Sequence, residues 1–127
     1  MSPFVILRHE TVEKDPRPSH WDLMFQKNDV LATWATPEFP SPGVCSVAER
    51  LASHRLAYLD YEGPVSRSRG QVRRAAWGQY VEDRWEENRC AVWLQGQMAD
   101  GAPLQWRIEL QLLDEPAQKW RLSCRDA

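Results

Sequence analysis

Short segments that alternate polar and apolar residues run through the second half of the chain and restrict its fold more than any other feature. From Leu104 to Leu112 every second residue is apolar, and the residues between them are glutamine, arginine or glutamate. Because side chains of a β-strand point alternately to opposite faces, Leu104–Leu113 is predicted to be a strand with one buried face. Similar segments separated by Gly, Asn, Asp and Pro are Gln71–Trp77, Gln79–Trp85, Arg89–Gln95 and Lys119–Cys124. Many short strands at regular spacing are typical of an antiparallel barrel or sandwich.

The first half of the chain is also rich in β-forming residues. Phe4–His9, His20–Gln26 and Val30–Thr36 each predict a strand, and the polar residues between the last two predict a hairpin turn. Val44–His54 fits either one face of a helix or a strand, and Leu56–Tyr61 is strand-like. We therefore expect a mainly β fold, a small closed or partly open antiparallel β-barrel with at most one or two short helices.

Length and composition predict one globular domain over residues 1–127, with 43% hydrophobic residues. No apolar run approaches the ~20 residues of a membrane span, and the first residues lack the basic region of a signal peptide. We therefore expect a cytoplasmic protein without a membrane partner. The cysteines, Cys45, Cys90 and Cys124, are far apart and form no CxxC pair, which favours free buried thiols. The formal net charge of −2 argues against strong non-specific binding to DNA.

Two of the three histidines lie on predicted neighbouring strands, and an aspartate accompanies the second. His20 and Asp22 are two residues apart, so a strand presents both on one side, and His9 can complete a triad from the strand before. Imidazole nitrogen and carboxylate oxygen suit Mn²⁺, Zn²⁺ or Fe²⁺, and three protein ligands leave positions open for water and substrate. The spacing is compatible with a catalytic metal site, but an HxD pair is common by chance, so the spacing alone is a weak signal.

Other residues with possible functions each have a structural alternative. The seven tryptophans suit the stacking of bases, but such residues more often pack a core or a barrel rim. His54 on its own fits a surface loop, and Tyr58 shares its face only if that segment is helical. The arginines between Arg67 and Arg74 fit either phosphate binding or a solvated turn and strand face.

Four motifs in order resemble the 3′-phosphoesterase domain of bacterial DNA ligase D, an end-joining repair enzyme. FVILRH followed by HWDLMFQ is similar to the family's strand ending in histidine and its HYDFRLE motif. LATWATPEFP is similar to LKSWAVPKGP, ASHRLAYLDYEG to EDHPLDYADFEG, and the GQV that begins at Gly70 to GTV. All three histidines fall on histidine positions of the family, and the likeness covers about two-thirds of the chain.

The resemblance implies a small antiparallel barrel that binds Mn²⁺, or another divalent transition metal such as Zn²⁺, through His9, His20 and Asp22. It implies that His54 and Tyr58 bind the phosphate and serve catalysis. The implied activity is metal-dependent removal of a 3′-terminal ribonucleoside and then of the 3′-phosphate, in DNA repair by non-homologous end joining. The implied partners are nucleic-acid 3′ ends, of DNA or RNA-terminated DNA, and a ligase or polymerase on a separate chain.

The sequence also departs from the family's pattern. Met24 stands where the family has an arginine that contacts phosphate, and Glu38 stands where it has a lysine. The proline-glycine loop after the EG dipeptide is replaced by SRSRG. Candidates for the missing phosphate-binding charge are Arg8, Arg17, Arg67 and Arg69. Two alternatives to an enzyme stay open: a non-catalytic relative that binds metal and DNA ends as a repair interaction module, and a structural barrel with unrelated histidines.

Overall fold

An antiparallel β-barrel accounts for most of the chain in the computed structural model, which describes residues 1–127. The strands are β1 (Ser2–Glu10), β2 (His20–Lys27), β3 (Val30–Thr36), β4 (Cys45–Arg55), β5 (Gly63–Pro64), β6 (Gln71–Trp85), β7 (Arg89–Met98), β8 (Pro103–Asp114) and β9 (Lys119–Asp126). Eight of them follow the order β1-β2-β3-β4-β9-β8-β7-β6, and the pairing of β1 with β6 closes the barrel. The predicted mainly β barrel is thus confirmed.

One open alternative is resolved by the structure, and two details of the predicted strands differ from it. Val44–His54, which fitted either a helix or a strand, lies largely in the strand β4 (Cys45–Arg55), which pairs with β3 on one side and β9 on the other. Leu56–Tyr61 was expected to be a strand, but Leu56–Leu59 forms a 3-10 helix. Residues three apart lie on one side of such a helix, and Leu56 and Leu59 both pack against the barrel wall there. The prediction of a strand over Leu56–Tyr61 was therefore wrong.

The second difference concerns Gly78, which was expected to separate two strands but lies within β6. It pairs with Gly96 of β7. A Cβ atom on Gly78 would lie 2.2 Å from the carbonyl oxygen of Gln95 and 2.5 Å from the Cα of Gly96. The glycine therefore permits a close approach of two strands and does not make a turn.

Two separate apolar clusters lie on the two sides of the barrel wall. The interior cluster of 19 buried residues draws on all eight strands, and it includes the alternate residues of β8 from Leu104 to Leu110, as predicted. A smaller cluster lies on the outer side of the wall, under the 3-10 helix, and consists of Val5, Leu7, Met24, Leu31, Val65 and Val72. Side chains of β1 point alternately into the two clusters. His9 follows Val5 and Leu7 at the same spacing and therefore lies on the outer side of the wall with them.

The tryptophans and cysteines mostly serve packing. Trp34 and Trp120 are fully buried in the interior, whereas Trp93 is 37% exposed on the outer face. Burial raises the pKa of the Cys90 thiol to about 11 and that of Cys124 to about 12. The expectation of buried thiols was wrong for Cys45, which is exposed near the start of β4. No helix of the structure has the length and hydropathy that crossing a bilayer requires.

Candidate active site

The pairing of β1 with β2 brings together the three residues predicted to bind a metal. His9 lies directly opposite His20 in the register, and Leu7 lies opposite Asp22. Alternation turns His20 and Asp22 to the same side of β2, which is the outer side of the barrel wall. The candidate ligand atoms of His9, His20 and Asp22 all lie within 4.8 Å of one another. The three side chains therefore form one group, as a shared metal would require.

The carboxylate of Asp22 is the electrostatic centre of this group. It is only 2% exposed, and its oxygens lie 3.1 Å from His20 Nε2 and 3.6 Å from His9 Nδ1. Burial by itself would raise the pKa of Asp22, but the facing imidazoles of His20 and His9 outweigh it and lower the pKa to about 2. The Asp22 carboxylate in turn raises the pKa of His9, against the opposing effect of burial. Asp22 is therefore an anion at neutral pH.

Backbone carbonyl groups fix the orientation of both imidazoles. His20 Nδ1 donates to the Pro18 carbonyl at 2.9 Å, and His9 Nε2 donates to the Arg69 carbonyl at 2.8 Å. Since a carbonyl oxygen can only accept, each neutral ring keeps its lone pair on the other nitrogen, which faces Asp22.

The donor atoms of this group suit a divalent cation. Asp22 Oδ1 is buried, lies 3.1 Å from His20 Nε2 and has no assigned hydrogen-bond donor. Two imidazole lone pairs and a carboxylate thus converge with no proton between them when the rings are neutral. A divalent transition metal satisfies all three donors at once, so the residues present fit Mn²⁺ or Zn²⁺.

A cavity of about 280 Å³ connects this group to the third histidine. It is bounded by His9 and Asp22 on one side and by His54 and Tyr58 on the other. The 3-10 helix turns the chain back after β4, so that the His54 and Tyr58 rings lie edge to face with centroids 5.7 Å apart. His54 Nδ1 donates to the Ala52 carbonyl at 2.9 Å, which leaves Nε2 free for a ligand. His20 lies outside this cavity and lines a separate groove.

The four arginines proposed for phosphate binding occupy different places. Arg69 lines the cavity, and its guanidinium group donates to the carbonyl and hydroxyl of Ser66. Arg17 lies in the groove beside His20. Arg8 stacks over the Trp21 ring, 4.8 Å from its centroid, on the face of β1 opposite to His9. Arg67 is exposed in the loop before β6, outside the cavity. Of these four arginines, the structure therefore brings only Arg69 to the cavity.

The two departures from the family's pattern also have definite positions. Met24 lines the cavity and is 1% exposed, so an apolar side chain lies where the family places a cation. Glu38 is exposed in the loop after β3 and does not line the cavity. Sequence reasoning missed Arg55, which lines the cavity and directly follows His54. The sequence did contain a signal for Arg55, because the family motif EDHPLDYADFEG has proline where this chain has arginine.

The sequence profile of the DNA Ligase D 3'-phosphoesterase domain matches residues 10–107. The chain belongs to this family. The match to the DNA ligase D phosphoesterase family contains His20, Asp22, His54 and Tyr58 and begins just after His9, so the pairing of β1 with β2 is what places His9 in the site. A comparison with curated proteins gives no match.

The Asp22→Asn variant of the metal-free protein is expected to be destabilised most between about pH 4 and 6.5. The pKa of Asp22 is about 2 in the folded protein instead of the ordinary 3.8. Ionisation of Asp22 therefore stabilises the fold fully above about pH 4, and this stabilisation is lost as the pH falls through about 2. Because the pKa of His9 is raised, the protonated His9 ring stabilises the fold below pH 6.5. This contribution is lost as the pH rises through the pKa of His9 in the folded protein. The Asp22 shift corresponds to roughly 2 kcal/mol of folding free energy.

Urea unfolding from pH 2 to pH 8 in the presence of a chelator measures this difference between wild type and Asp22→Asn. Asp29→Asn is the matched control, because Asp29 is an exposed turn residue without an ion pair. A loss of stability that stays constant across the pH range would indicate a packing defect and contradict the electrostatic explanation.

Proposed function

We propose that this member of the DNA ligase D phosphoesterase family is a metal-dependent phosphoesterase that acts on nucleic-acid 3′ ends. Its substrates would be ends that carry a 3′-phosphate or a 3′-terminal ribonucleoside. The observation that carries the proposal is that His9 and Asp22, which form one group with His20, line the same cavity as His54 and Tyr58. The role would be the preparation of 3′-hydroxyl ends for repair, together with a ligase or polymerase on a separate chain.

Each side chain around the cavity has a chemical part in this reaction. A bound Mn²⁺, or another divalent transition metal such as Zn²⁺, supplies Lewis-acid activation of a phosphoryl oxygen and of water. His54 has Nε2 free, and in its protonated form it donates to a phosphate oxygen or to the leaving 3′ oxygen. The Tyr58 hydroxyl donates to a non-bridging oxygen, and the backbone contacts of the two metal-binding histidines keep their rings from turning away.

The second candidate function is a non-catalytic protein that binds metal and DNA ends as a repair interaction module. Met24 is the observation that favours it, because a thioether can neither pair with an oxyanion nor neutralise it. Loss of one preorganised donor typically lowers a rate by about 10²–10³-fold. The two candidates therefore differ in turnover and agree in metal binding.

Release of phosphate from an oligonucleotide that ends in a 3′-phosphate tests the proposal. We expect wild type to convert the end to a 3′-hydroxyl with Mn²⁺ present, and we expect the His20→Ala variant to release none above background. Chelation should stop the wild-type reaction, and added Mn²⁺ should restore it. Equal, slow release by wild type and His20→Ala would reject the phosphoesterase and favour the non-catalytic alternative.

A further inference from the structure

A second cavity, of about 240 Å³, adjoins the first along the outer side of the barrel. Its walls are Arg55, Ala57, Tyr58, Tyr61, Pro64 and Ser66. Arg55 and Tyr58 belong to the walls of both cavities. One groove therefore extends from His9 and Asp22, past His54 and Tyr58, to Tyr61, and its second part offers about 240 Å³ beyond the first cavity.

Tyr61 forms the far wall of this groove and presents its ring there. Its hydroxyl group donates to the carbonyl of Pro64, and its ring packs edge to face on Tyr58 with centroids 5.8 Å apart. The side chain is held at both ends and still leaves 37% of the residue exposed. Since the hydroxyl is already used, the ring is the part that Tyr61 offers to a ligand, and a fixed aromatic ring is a stacking surface for a base or sugar.

Arg55 lies where the two cavities meet and is free to bind an anion. It is exposed and takes part in no ion pair and no side-chain hydrogen bond within the chain. The acidic residue Glu62, which lies nearby in sequence, already accepts from the backbone N–H of Arg74. A guanidinium group without an internal partner, next to His54, suits a phosphate oxygen.

We propose that the second cavity is the subsite for the nucleoside that carries the 3′-phosphate, and that Arg55 binds the phosphate at the junction of the two cavities. This proposal rests on the proposed function and names its substrate class, a nucleotide end in preference to a simple phosphate monoester. The base or sugar packs on Tyr61 while the phosphate lies between Arg55 and His54. Arg55 thereby supplies a positive charge to the cavity, which Met24 cannot supply.

Binding of a fluorescent oligonucleotide, measured by anisotropy with Mn²⁺ in a His54→Ala background in which turnover is slow, tests the two residues separately. We expect Tyr61→Ala to weaken binding about tenfold and Tyr61→Phe to change it less than about twofold, because only the first removes the ring. We expect Arg55→Gln to weaken binding of the 3′-phosphate end about tenfold and of the 3′-hydroxyl end little. Arg121→Gln is the matched control, since Arg121 is exposed on β9 without an ion pair and its loss changes the net charge equally.

The kinetic counterpart compares the oligonucleotide with an aryl phosphate that has no nucleoside. Tyr61→Ala should raise KM for the oligonucleotide much more than KM for the aryl phosphate, whereas Arg55→Gln should raise KM for both substrates. If Tyr61→Ala and Arg55→Gln bind the 3′-phosphate end as well as Arg121→Gln does, the subsite is overturned while the phosphoesterase stands. If wild type releases no phosphate but both variants still weaken binding, the proposed phosphoesterase activity is rejected and the subsite stands. If the protein binds no oligonucleotide at all, the subsite is overturned.

Discussion

Mn²⁺ at about 100 times its Kd should raise the melting temperature of the wild-type protein by about 10 °C and leave that of His20→Ala unchanged. A ligand that binds only the folded state at this concentration stabilises it by about 2.7 kcal/mol. For a domain of this size each kcal/mol corresponds to roughly 3–5 °C. His20 contributes a lone pair whose direction the Pro18 carbonyl fixes, so its removal leaves an incomplete set of donors around Asp22.

Thermal unfolding with and without metal, on each variant separately, measures this effect. Comparing a variant with itself removes any loss of stability that the substitution causes in the absence of metal. His54→Ala is the control, because His54 lines the cavity beside His9 and Asp22 but is not one of the three proposed metal ligands, and it should keep the full rise. A full rise in His20→Ala would place the metal elsewhere and would defeat the proposed centre.

The second large effect is on turnover, which His54→Ala should lower by about 10²–10³-fold while metal binding persists. The loss follows because Nε2 of His54 is the free nitrogen of a ring whose other nitrogen is bound to the Ala52 carbonyl. Alanine leaves the 3-10 helix and Tyr58 in place but removes the donor. Single-turnover release of phosphate at saturating Mn²⁺ measures the effect without contributions from product release.

Tyr58→Phe separates the role of the hydroxyl group from the packing of the ring. It keeps the edge-to-face contacts with His54 and Tyr61 and removes only one donor. We expect a loss of about tenfold, near the net value of one hydrogen bond to a charged group. If His54→Ala lowered the rate less than Tyr58→Phe did, the assignment of His54 as the principal donor would have to be abandoned.

The barrel itself was predictable because its strands have one face against an apolar interior. β8 shows this most clearly, since Leu104 to Leu110 alternate in the sequence and the same residues are buried. Gly78 was misread because a glycine that allows close strand contact looks the same in sequence as one that ends a strand. The 3-10 helix at Leu56–Leu59 was missed because packing on the outer apolar cluster decides its conformation, and that surface exists only after the strands pair.

The candidate site was predictable where alternation or resemblance constrained it and not elsewhere. The spacing of His20 and Asp22 placed both on one side of a strand, and the register of β1 against β2 then brought His9 to them. The positions of the arginine guanidinium groups could not be predicted in this way, because they depend on the conformations of long side chains and of loops. Arg8 shows the limit, since it adjoins His9 in sequence yet stacks on the far face of the strand.

The two carbonyl groups that orient the imidazoles belong to loops, whereas the imidazoles belong to strands. Pro18 lies two residues before β2, whereas Arg69 lies in the connection from β5 to β6 and its guanidinium group also lines the cavity. A polynucleotide that displaced this connection would disturb one proposed metal ligand, His9, and the position of the Arg69 side chain together. Substrate binding and metal binding would then be coupled through a single short stretch of backbone, without any change in the barrel.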